Sequence, residues 1–227
     1  GGDFACQNCH ETTDHKIPGN AIHSQDAGRV DCTKCHVEAN HPNISFKDKH
    51  LGTLACQSCH IPAIARAIPT KTWWDWSTAG DKDRTPVNDA NGMPDYNWMK
   101  GDFQWGKSVK PELAWFNGKY QRMFIGEEIS FGPDRPVIIA MPMGSKGDGK
   151  LYPYKVMRGK QAYDTKEMFL IVPHLFGKQE GNPDMDDPYW VTTNWDEALR
   201  EGALYAGQPY SGNYDWVETA MYMSVNH

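Results

Sequence analysis

Three times in its first sixty residues the chain carries two cysteines, two intervening residues and then a histidine: Cys6-Gln-Asn-Cys9-His10, Cys32-Thr-Lys-Cys35-His36 and Cys56-Gln-Ser-Cys59-His60. This is the attachment pattern of a c-type haem. Two cysteines on one helical turn meet the vinyl edge of a porphyrin as thioethers, and the histidine that follows points under the macrocycle to the iron. On that reading Cys6, Cys9, Cys32, Cys35, Cys56 and Cys59 bind the cofactor covalently, His10, His36 and His60 are the proximal iron ligands, and the chain carries three haem c groups. A zinc ribbon needs paired motifs but no histidine after each, and a redox dithiol needs one active site. Neither accounts for a triple pattern.

Each iron has a second face, and what fills it separates two functions. Six histidines lie outside the motifs: His15, His23, His41, His50, His174 and His227. Three irons need three distal ligands, so supply is twice the demand. A second imidazole keeps the iron low-spin and six-coordinate, and the metal then changes oxidation state with little movement. The expected function is therefore electron transfer through bis-histidine haems. His15, His23, His41 and His50 are the leading distal candidates, with His174, in Pro173-His-Leu-Phe176, a further one. His227 is too far in sequence from the motifs to be assigned to any of them. It is a candidate to serve a haem on another segment or on a neighbouring subunit, and in the latter version the chain is a filament subunit with ligands shared between protomers. In either case redox proteins or neighbouring cytochromes are the partners.

The elements that position these groups divide near residue 70. Residues 1–70 hold every cysteine and seven of the nine histidines, but only twelve large aliphatic or phenylalanine side chains. That is too little apolar mass for a core unless porphyrins supply the rest. Short helices and loops around stacked haems are expected there, and Ala5-Cys6-Gln7 recurring as Ala55-Cys56-Gln57 marks a weak internal repeat. Residues 71–227 read as a haem-free, aromatic-rich region wrapping the haems, with all nine tryptophans between Trp73 and Trp216. With 21 glycines and 15 prolines in the chain, this α+β region is expected to hold little regular structure. Val137–Met143 and Leu151–Met157 flank a glycine-rich loop and predict a hairpin. Asn194-Trp-Asp-Glu197 has capping-box spacing and predicts a helix over 197–206, ended by Gly207 and Pro209. Trp73, Trp74 and Trp76 read as aromatic core ahead of a porphyrin-stacking role.

Composition narrows the setting. Of 227 residues 39% are hydrophobic, and 29 acidic side chains against 23 basic ones leave a formal charge of −6. No basic run offers a surface for phosphates, which argues against nucleic acid, and no apolar run approaches the roughly 20 residues of a membrane span. Covalent haem attachment follows export, so the expected compartment is periplasmic or extracellular.

The run Ala55-Cys-Gln-Ser-Cys-His-Ile-Pro-Ala-Ile-Ala-Arg66, followed by Pro69-Thr-Lys-Thr-Trp-Trp-Asp-Trp-Ser-Thr-Ala-Gly80, resembles the octahaem tetrathionate reductase family of multihaem cytochromes c. Met123-Phe-Ile-Gly-Glu-Glu128, Pro209-Tyr-Ser-Gly-Asn-Tyr214 and the closing Val225-Asn-His227 are similar to later parts of that family, so the likeness covers most of this chain and only the family's C-terminal portion. The resemblance implies an oxidoreductase class in which tetrathionate, nitrite or hydroxylamine is reduced at a haem with a distal lysine. It also implies that this haem belongs to the preceding portion, so no lysine here inherits that role. A part of such a reductase is the alternative to a pure electron carrier.

Overall fold

The computed structural model describes residues 50–177 and 187–225. The first two attachment motifs (Cys6–His10 and Cys32–His36), His15, His23, His41 and His227 lie outside the described residues. The elements are helix α1 (Cys56–His60), β1 (Thr70–Asp75), a 3-10 turn (Trp76–Thr78), β2 (Tyr96–Asn97), β3 (Gly101–Gly106), β4 (Glu112–Phe116), β5 (Tyr120–Arg122), β6 (Val137–Pro142), β7 (Lys150–Asp164), α2 (Tyr189–Thr192), α3 (Trp195–Tyr205) and β8 (Tyr214–Ser224). Among the described residues, no helix is long and apolar enough to cross a membrane.

All eight strands join one sheet, in the order β2-β3-β1-β7-β8-β6-β5, with β4 also on β7. The expectation of little regular structure is corrected here, since the aromatic-rich region is built on this sheet, with few helices. Its glycines and prolines do not mark irregular chain throughout, because two of them sit inside β7 where their geometry is needed. β1 crosses so close to β7 that a side-chain carbon on Gly159 would run into the Trp74 carbonyl. The N–H that Pro153 lacks would fall between the two segments sharing that edge of β7: Thr53–Ala55, which bracket Leu151, and β8, whose pairing ends at Ser224 opposite Tyr154.

The strands β6 and β7 form where the alternating pattern predicts them, but they are not a hairpin. β8 lies between them, antiparallel to β7 over eleven residue pairs and parallel to β6. This last strand arrives from about sixty residues later, so the glycine-rich 144–149 connection spans an inserted strand and not a tight turn. Asn117 reaches that connection with a 2.8 Å hydrogen bond to Asp148.

Adjacent residues Ala162 and Tyr163 of β7 point to opposite faces and feed two cores. On one face Ala162 packs with Phe169, Ile171, Leu199 and Ala203, the last two from α3. On the other, Tyr163 packs against Ile129, Val137 and Val217. α3 forms as predicted: the Asn194 side chain accepts from the Asp196 and Glu197 N–H groups, and Leu199 and Ala203, one turn apart, are fully buried.

Candidate haem-attachment site

One attachment motif, Cys56–His60, lies within the described residues and is α1 itself. A single turn of helix does not stand alone, because nucleation fixes several residues for few hydrogen bonds. Ala55, at the N-cap, supplies no side-chain cap. The sheet holds the turn instead. The Leu151 carbonyl at the start of β7 accepts from the Ala55 N–H at 2.9 Å and from Ser58 Oγ at 2.6 Å, while the Leu151 N–H donates to the Thr53 carbonyl at 2.8 Å. Ahead of this anchor, the Thr53 and Leu54 N–H groups close a turn on the His50 carbonyl. Beyond the helix, Ile64 and Val109 exchange both backbone hydrogen bonds, at 2.8 and 2.9 Å. The motif is thus fastened on one side to the start of β7 and on the other to the connection between β3 and β4.

Within α1, Cys56 and Cys59 are one helical turn apart and share a face. Neither thiol forms a disulfide among the described residues, with Cys56 half-buried and Cys59 exposed, and His60 is exposed as well. Two accessible thiols on one face followed by an accessible imidazole are the donor set that a covalently attached haem c requires, so these residues fit the group. Ala55, 4% exposed, is the one residue of this segment driven into the protein.

Of the distal candidates, His50 lies in the turn that leads into α1. His174 lies elsewhere. It is 9% exposed, its Nε2 is 2.6 Å from the Gly177 carbonyl, and its backbone N–H donates to the Ala198 carbonyl of α3. The contact with a carbonyl puts the ring proton on Nε2 and leaves Nδ1 as a buried acceptor without a partner among the described residues. Nearby Ile171 pairs with Ala162, and roughly 35 Å of extended strand separates Ala162 from Leu151. The fold therefore does not bring His174 to α1.

Four of the tryptophans, Trp74, Trp76, Trp195 and Trp216, pack in a chain on one another. Trp74 stacks on Trp76 at 4.5 Å between centroids, Trp76 meets Trp195 edge-on, and Trp195 stacks on Tyr189 at 3.8 Å. A second aromatic group, Phe116, Tyr120, Tyr152 and Tyr154, sits near the α1 end of β7. Burial holds the Tyr120 and Tyr154 phenols well above their ordinary range, so both stay protonated donors.

Two features had no signal in the sequence. Leu151 looks like any strand leucine, yet its peptide is the anchor of α1. Lys71 places its Nζ over Phe103, Trp74 and Trp105 at 3.4, 4.3 and 5.2 Å from the ring centroids, and burial and the like charges of Lys100 and Lys155 bring its ammonium down to about 8. Both depend on strand pairings that no local pattern announces.

Among curated proteins none matches this chain. It is similar to an octahaem cytochrome c from Shewanella oneidensis, at 39% identity and a TM-score of 0.84, over 99% of this chain and 51% of that one. The chain thus spans about half the length of that relative, in line with the octahaem resemblance read from its motifs. The family model for bacterial cytochrome c matches residues 71–227. Anchored attachment helix, haem-fitting donors and that match over more than half of the residues together mean that the chain belongs to the bacterial cytochrome c family.

Proposed function

We propose that the chain relays electrons through three covalently attached c-type haems with histidine on both axial sides. The observation that carries this reading is α1: its two thiols and His60 project accessibly from a turn locked to the sheet by the Leu151 peptide. When bound, the haem supplies a one-electron Fe(III)/Fe(II) couple. The chain's own part is positional. Cys56 and Cys59 would hold the porphyrin covalently, His60 would ligate its iron, and the Leu151 anchor would keep the three in place. The same roles fall to Cys6, Cys9 and His10, and to Cys32, Cys35 and His36.

Distal ligands come from His15, His23, His41, His50 and His227. His174 is left out, because its Nε2 is engaged by Gly177 within the packing of α3. Redox proteins are the partners, and the periplasm or cell exterior is the compartment in which thiols, haem and ligation machinery meet. Catalysis as part of a reductase for tetrathionate, nitrite or hydroxylamine would require an iron with an open sixth position. Intact mass of the full chain isolated from a cytochrome c-maturing host, with peptide mapping of Cys56–Cys59, tests attachment. Three haem masses are expected, one of them on that peptide, and an unmodified Cys56–Cys59 peptide would refute the assignment.

A further inference from the structure

Two lysines on one face of the sheet have lost water without gaining a carboxylate among the described residues. Lys71 of β1 stands opposite Trp105 of β3, with its ammonium against three aromatic rings. Lys155 of β7 is half-buried and donates to Thr70 Oγ1 at 2.7 Å. Register places both on the same side: the bulge between Lys71 and Trp73 sets Lys71 on the face of Trp74, opposite Trp105 and Phe103, Trp74 pairs with Gly159, and Gly159 lies an even four residues from Lys155. Lys160, on the opposite side, does have its carboxylate, Asp75 at 3.6 Å. Burial pulls the Lys71 ammonium down first, then the like charges of Lys100 and Lys155, and burial alone lowers Lys155. Aromatic rings offset part of the lost hydration of Lys71, but two neighbouring desolvated cations still repel. An anion placed between them would relieve both costs.

The face they share leads to the attachment helix. Along β7 it continues through Pro153 to Leu151, the residue that anchors α1, and across β4 it is flanked by Leu113 and Trp115. This strip is apolar, and Leu113 is 51% exposed. Four residues, roughly 13 Å of strand, separate Leu151 from Lys155, close to the span of a porphyrin from its thioether edge to its carboxylates. We propose that Lys71 and Lys155 bind the propionate carboxylates of the haem held by Cys56 and Cys59, whose ring lies along the strip of Leu151, Pro153, Leu113 and Trp115. This rests on the haem-attachment reading and adds to it the direction in which the ring points and the cations that hold it.

The test uses the full chain with its haems, as Lys71→Gln, Lys155→Gln and the double variant, with Lys71→Arg and Lys155→Arg as charge-keeping partners and Lys160→Gln as the opposite-face control. Intact mass is read first. If the parent has no haem at Cys56–Cys59, the attachment reading fails. Given equal haem counts, loss of a nearby cation favours ferric iron, so one midpoint potential moves negative in each glutamine variant and further in the double. The propionate bending band in the resonance Raman spectrum shifts with it; the arginine variants restore the potential, while the band takes a new frequency because a guanidinium replaces the ammonium donor. Unchanged potentials and bands in the double variant at full haem count would overturn the proposal, as would an equal shift from Lys160→Gln. Should a glutamine variant fail to fold, the arginine pair remains decisive: a propionate band identical to the parent in frequency despite the altered donor would count against direct contact.

Discussion

Asp164 is the most buried charge in the described protein, at 0% exposure, and its environment explains how a carboxylate survives there. Burial pushes its pKa up, but donations from the Glu167 and Ser211 N–H groups, the Ser211 hydroxyl and the Lys166 N–H outweigh that and hold it below the usual range. A depressed folded-state pKa contributes stability that is present above the unfolded value of about 4 and is lost as pH falls through the folded value. Asp164→Asn should therefore cost about 1–3 kcal/mol at neutral pH, because an amide turns donors toward donors, and should flatten the acid limb of the stability curve. Chemical denaturation between pH 3 and pH 7 checks both, and an unchanged acid limb would count against this account. Residue-scale chemistry was partly legible beforehand. The cysteine spacing names its own ligands, whereas the roles of Asp164, Leu151 and Lys71 come from neighbours 47, 98 and 34 positions away: Ser211, Thr53 and Trp105.

Elements were readable where their signals were local. α3 follows from Asn194, whose side chain takes two N–H groups that would otherwise lack partners. Asn194→Ala should cost about 1 kcal/mol, and Leu199→Ala, which empties a site fully buried against β7, about 2–5 kcal/mol, both measurable by thermal melting. The pairing of strands was not readable, because Tyr214–Ser224 inserts between two strands that are neighbours in sequence. Alternation reports that a strand exists and which side it buries, but not which strand lies beside it. Gly159 marks a close pairing, that of β1 with β7. Gly159→Val should separate β1 from β7 and cost about 1–3 kcal/mol, while Gly52→Ala, where an added carbon meets nothing within 4 Å, should be neutral in the same denaturation assay.

At the scale of the whole molecule, a sheet with a core on each face carries the attachment helix on the peptide of one of its strands. Rigid support suits an electron carrier, since a metal that changes charge without moving exchanges electrons with little reorganisation. Similarity over half the length of an octahaem cytochrome c supports a multihaem electron-transfer or reductase role. The central claim is that every iron has nitrogen on both sides, and low-temperature electron paramagnetic resonance of the oxidised full chain, with haem number fixed by mass, addresses it most directly. Low-spin ferric signals should account for all the iron. A high-spin component that diminishes when nitrite is added would contradict the relay and identify a reductase.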